Sequence, residues 1–146
     1  MRAVLQRVTE ARVRVEDASV GEIGRGWLVL LGIGHADSDA TAVALADKAA
    51  GLRCFEDAEG KTNLAAEDVH AEWLVVSQFT LMADVSRGRR PGFANAAAPE
   101  RATVLVDRFI ARLRERGFAV ASGRFGAHMQ VSLVNDGPFT IVLDLS

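Results

Sequence analysis

The chain has 146 residues, 49% of them hydrophobic and 25% charged, with a formal net charge of -2. This size and apolar content fit one domain, residues 1–146, with its own core, and exclude a disordered chain or one that needs disulfides or a structural metal to fold. The near-neutral charge excludes a globally basic nucleic-acid binder, so any RNA contact must come from a local patch.

Strand signals come first. Ala11, Val13 and Val15 alternate with Arg12, Arg14 and Glu16, the period of a half-buried strand. Val4 and Val8 lie in the opposite phase, and a bulge near Thr9-Glu10 reconciles the two. Gly24 and Gly26 mark a turn before Trp27–Leu31, an apolar run suited to a strand covered on both faces. Ser38 or Asp39 caps a predicted helix to about Arg53, with Val43, Ala46 and Ala50 on one face and Leu45, Ala49 and Leu52 close by. Asp57–Gly60 is a turn. Trp73–Val76 is a second buried strand and feeds directly into Ser77-Gln78-Phe79-Thr80-Leu81.

Periodicity is lost from Ala83 to Ala98, a long loop carrying Gly88, Pro91 and Gly92. Pro99 opens a second helix with Leu105, Phe109 and Leu113 on its apolar face, Val106 and Ile110 beside them, and Gly117 at its end. Met129, Val131 and Leu133 alternate, then Ile141, Leu143 and Leu145. With Asn135-Asp136-Gly137-Pro138 between them, this predicts a hairpin. The expected fold is a single α/β domain, mostly antiparallel sheet and barrel-like, with two main helices packed on it.

Familiar catalytic patterns are missing. His35, His70 and His128 have no metal-ligand spacing, so no metal and no cofactor is expected. No G-x-S-x-G elbow occurs, and the short glycine pairs at Gly24-Arg25-Gly26 and Gly32-Ile33-Gly34 are neither a P-loop nor a dinucleotide fingerprint. Cys54, the single cysteine, sits in an apolar stretch and reads as a buried thiol. The N-terminus lacks a long apolar core of signal-peptide type, and no run reaches membrane-span length, which predicts a soluble cytoplasmic protein.

Three segments stand out. Ser77, Gln78 and Thr80 present polar groups at the end of a buried strand, either a ligand site or a satisfied turn. Asn135–Thr140 is either an ordinary edge turn or a ligand site: its proline falls where a ladder hydrogen bond should start, and Gly137 would let a ligand approach its carbonyl closely. Arg87, Arg89 and Arg90, with Phe93 nearby, suit phosphates or simply form a solvated loop. Only Lys48 and Lys61 are lysines. This arginine preference is either compositional bias or a supply of planar forks for phosphate.

Together these segments resemble the D-aminoacyl-tRNA deacylase family. The resemblance rests on Gln6-Arg7-Val8, on Ser77–Leu81, on Arg90-Pro91-Gly92-Phe93 and on Met129–Thr140, in order across nearly the whole chain. It implies a metal-free homodimer that hydrolyses the ester between a D-amino acid, or mischarged glycine, and the 3′-terminal adenosine of aminoacyl-tRNA. It implies Ser77, Gln78, Phe79 and Thr80 as the catalytic pocket and Met129 and Arg7 as substrate-binding residues. Gly137 and Pro138, with a cis bond, would reach into the partner's pocket and reject L-residues. Phe139 departs from the smaller apolar residue, such as valine, usual in the family, and alternation points it away from Thr140. Two other readings compete: a non-catalytic RNA-binding module, and a dimer that has lost activity.

Overall fold

The computed structural model describes all 146 residues. Its hub is β1 (Arg2–Val15). The first half of β1 pairs antiparallel with β3 (Gly26–Gly32) and the second half with β2 (Ala18–Ile23). β3 continues in parallel to β6 (Glu72–Ser77), and β6 to β7 (Val120–Ser122). β4 (Phe55–Glu56) and β5 (Thr62–Leu64) form a small hairpin around the predicted Asp57–Gly60 turn. The sheet curls until β2 meets β7: a Cβ on Gly21 would lie 2.6 Å from the Ser122 carbonyl oxygen. The expected α/β domain is therefore present, built on a nearly closed mixed sheet.

Two apolar clusters explain why the interiors of β3 and β6 are apolar on both faces. Trp27, Val29, Leu31, Trp73 and Val75 face α1 (Asp39–Gly51) and α2 (Pro99–Glu115) in one cluster. Leu28, Leu74 and Val76 join Val8, Ala11 and Val13 in the other. The phase conflict in β1 is resolved as expected, by register slips on both sides of Val8 that let it share a face with Ala11 and Val13. Cys54 is buried, and burial pushes its thiol above the ordinary value.

Both helices follow their sequence signals closely. Ser38 accepts a hydrogen bond from the Thr41 N–H, and α1 stops at Gly51, just short of Arg53. Its buried face is Thr41, Ala42, Leu45, Ala46, Ala49 and Ala50, which leaves Val43 half-buried at the edge. α2 begins at Pro99 and buries Leu105, Val106, Phe109, Ile110 and Leu113.

An ion-pair network ties the helices together. Arg112 donates to both oxygens of Asp47 at 2.7 and 3.2 Å, and Arg116 adds a bond at 3.3 Å. The Arg112 hydrogen bonds, helped by Arg116, hold the Asp47 carboxyl below its ordinary value of 3.8. A carboxylate lowered by folding contributes stability that is complete above its unfolded value and disappears as pH falls through the folded one. Asp47→Asn should therefore lower the melting temperature near neutrality, with the gap to wild type closing as the pH is taken from neutrality into acid and falls through the lowered folded-state value. Melting curves across that range check this, and a gap independent of pH would refute it.

The C-terminal segment corrects the sequence reading. It is not a hairpin but one strand, β8 (Gln130–Asp144), which runs antiparallel along all of β1. Val134 pairs with Glu10, Asn135 with Val8 and Thr140 with Gln6. Five steps on β8 thus oppose two on β1, and the surplus loops out as a bulge around Asp136–Phe139. The chain turns locally, as Asp-Gly predicts, but resumes its original direction. Asn135 closes the bulge by accepting the Phe139 N–H at 2.7 Å.

Candidate active site

The sheet's curl leaves a cavity of about 720 Å³ where β6 ends. β6 stops at Ser77, and Phe79–Met82 wind into a single 3₁₀ turn. Gly32, at the end of β3, lets this turn dock: a Cβ there would lie 2.9 Å from the Leu81 Cβ and 3.1 Å from the Gln78 carbonyl oxygen. The first N–H groups of such a turn, on Phe79 and Thr80, have no partner within it. The Gln78 side-chain amide donates to the Thr80 hydroxyl.

Ser77, Gln78, Phe79 and Met129 all line this cavity. Thr80 stands beside it through the bond to Gln78. Most of the rest of the wall is apolar and comes from Phe93 and Ala96–Ala98 in the long loop, the first turn of α2, and Phe125–His128. Phe93 packs edge-on against Phe79 with ring centroids 5.0 Å apart, which joins the arginine loop to the Ser77–Thr80 turn. His128 is the single titratable side chain on the wall. No His, Cys, Asp and Glu side chains gather into a group of three that could hold a metal.

The other predicted residues lie elsewhere. Gly137 and Pro138, joined by a cis bond, are exposed on the β8 bulge and do not line their own chain's cavity. Arg7 lies beneath them, only 6% exposed. Its Nε donates to the Asp136 carbonyl at 3.0 Å and its Nη1 to the Cys54 carbonyl at 2.7 Å. Phe139 turns inward, as alternation suggested. Its ring packs on Trp27 at 6.2 Å, and the Arg7 guanidinium sits 4.3 Å above it. Arg7 thus braces the bulge from inside, a role its place in a Gln-Arg-Val strand does not reveal.

A D-Tyr-tRNA(Tyr) deacylase profile matches residues 4–144. The chain belongs to the D-aminoacyl-tRNA deacylase family. This is a family of hydrolases, and two of its bacterial members are close relatives. The D-aminoacyl-tRNA deacylase of Roseiflexus sp. is 60% identical over 99% of this chain and 93% of its own length. That of Thermotoga petrophila is 55% identical over 100% of this chain and 98% of its own. A solved structure named c-Myc DNA unwinding element binding protein is 42% identical and superposes with a TM-score of 0.93, covering 99% and 98% of the two chains.

Membership accounts for the four motifs but not for the whole cavity wall of this deacylase-family chain. In the sequence His128 suggests at most a metal ligand, Pro99 only a helix start, and Phe125 and Ala96–Ala98 no part in a site. These residues meet because two loops and a helix start converge, and no local pattern records that.

Proposed function

We propose that this chain hydrolyses the ester joining a D-amino acid, or mischarged glycine, to the 3′-terminal adenosine of tRNA, in the cytoplasm, as a homodimer. One observation carries the reading: an apolar cavity whose polar groups are concentrated at the Ser77–Thr80 turn, in a chain of this family. An aminoacylated adenosine suits such a wall. Its base can stack on aromatic rings, and its ester carbonyl needs hydrogen-bond donors at one point.

The chemistry follows from those donors. Water adds to the carbonyl carbon, and the Phe79 and Thr80 N–H groups with the Gln78 amide are available to the oxyanion. The bond to O3′ then breaks, O3′ takes a proton, and a free amino acid leaves a tRNA ending in a 3′-hydroxyl. Thr80 hydrogen-bonds Gln78 rather than a carboxylate or imidazole, so it has no base to make it a nucleophile. The neighbouring ribose 2′-hydroxyl takes the part of activating water.

The dimer gives the bulge a purpose. Gly137 and Pro138 are exposed outside their own cavity, and β8 also exposes Val134 and Val142. In the partner's cavity the bulge backbone would occupy the space an L side chain needs, while a D side chain points away. Arg7 would then act by holding the bulge rather than by touching substrate.

Release of amino acid from D-tyrosyl-tRNA tests the reading, and no release would sink it. In the same assay Thr80→Ala should keep turnover within about tenfold of wild type. Wild type on substrate ending in 2′-deoxyadenosine should lose on the order of 10²–10⁴-fold, the usual scale of a lost acid–base group. A dead Thr80→Ala enzyme beside full activity on the deoxy substrate would establish covalent catalysis instead.

A further inference from the structure

We infer that the loop closed by Asp84 and Gly92, together with Arg124, holds the backbone phosphates of the RNA stem that leads into the cavity. The inference rests on the proposed tRNA substrate, and it begins from which arginines are free. Arg2, Arg108 and Arg112 hold carboxylates, while Arg7, Arg101 and Arg114 hold main-chain carbonyls. Arg87, Arg89 and Arg90 are fully outside such bonds and exposed. The acid nearest them in sequence, Asp84, is occupied: it accepts the Ser86 N–H at 2.9 Å and the Ser86 hydroxyl at 2.6 Å. Three arginines therefore stand against one engaged aspartate, in a chain whose overall charge is -2.

The loop is also placed for the task. Asp84 and Gly92 exchange main-chain hydrogen bonds at 2.7 and 2.8 Å and pinch its base. The next residue, Phe93, packs on Phe79 inside the cavity. A second stretch of the wall, Phe125–Met129, is preceded by exposed Arg124, and exposed His128 lies within it. Free cations thus border two separate stretches of the wall. Guanidinium forks match phosphate oxygens, and phosphate contacts fix register without reading sequence. This division suits an enzyme whose chemistry concerns only the terminal adenosine and its amino acid.

The test separates RNA grip from cavity shape. A variant carrying Arg87→Ala, Arg89→Ala and Arg90→Ala is compared with wild type in binding deacylated tRNA over a salt series. It is also compared in hydrolysis of D-tyrosyl-tRNA and of D-tyrosyl-adenosine, which has no phosphate. Affinity for tRNA should fall about tenfold or more at moderate salt, and the slope of log affinity against log salt should shrink by roughly two to three. KM for D-tyrosyl-tRNA should rise with kcat unchanged, and hydrolysis of D-tyrosyl-adenosine should stay at the wild-type rate. Arginine-to-lysine changes at the same positions should restore part of the salt slope. Unchanged tRNA affinity and slope would overturn the inference. Equal losses on both substrates would overturn it too, because the loop would then act through Phe93 on the cavity wall. Wild type that binds tRNA through this loop but releases no D-tyrosine would leave the inference standing and remove the proposed activity instead.

Discussion

D-Tyrosyl-tRNA is expected to lose its amino acid roughly 10³-fold faster than L-tyrosyl-tRNA at equal enzyme, beyond the ~10–200-fold that apolar pocket contacts provide for one methylene. With the proposed filter, the excess would come from exclusion by main chain, which side-chain rotation cannot relieve. The bulge is built for stiffness. Gly137 has a φ of +157°, and a Cβ there would lie 2.5 Å from the Phe139 nitrogen, so a larger residue forces the backbone to move. Arg7 grips the Asp136 carbonyl from below, and Asn135 clamps the Phe139 N–H. Removing either clamp should therefore erode selectivity before it erodes rate. Arg7→Met and Asn135→Ala should bring the D and L rates closer, mainly by raising the L rate. Deacylation of both tyrosyl-tRNAs by the three proteins reads this out. Equal D and L rates in wild type would remove the filter altogether.

Glycyl-tRNA should be cleaved at enzyme concentrations that leave L-alanyl-tRNA intact. A barrier that works by collision has nothing to meet when the side chain is a hydrogen atom. Positive contacts behave in the opposite way: a pocket that selects by gripping a D side chain would lose glycine together with the L-residue. One methyl group is ordinarily worth ~1–3 kcal/mol in a pocket, and a clash against braced main chain exceeds it because neighbouring atoms cannot yield. The comparison needs glycyl-, D-alanyl- and L-alanyl-tRNA over a wide enzyme range. Glycyl-tRNA that survives where D-alanyl-tRNA is cleared would show selection by attraction. If glycine is cleaved, correctly charged glycyl-tRNA needs protection outside this protein.

Much of this was legible in the sequence, and what was not has a physical cause. α2 reads directly because its apolar residues recur with helical period between a starting proline and a terminating glycine. The bulge at Thr9-Glu10 reads because alternation changes phase across it. The hairpin reading failed because Asp-Gly reports local turning, while the strand's direction after the turn depends on pairing with Arg2–Gln6, far away in the chain. Ser77–Thr80 stood out as polar residues ending an apolar strand. Their surroundings did not, because Phe93 and Phe125 belong to stretches without periodicity. The bracing by Arg7 was not legible, because its carbonyl partners on Asp136 and Cys54 lie far along the chain.

The bulge's place in the middle of a strand fixes its length more tightly than its composition. β8 spends 14 steps from Gln130 to Asp144 where β1 spends 12 from Arg14 to Arg2. That difference is even, so both flanks keep their alternation relative to β1. Insertion or deletion of a single residue between Asn135 and Thr140 would reverse everything that follows. Leu143, buried at 8% exposure, would turn to solvent with Ile141 and Leu145, and Val142 and Asp144 would turn inward. A loop at a hairpin tip tolerates such changes. Here the residue count of the bulge is held by the core on its far side.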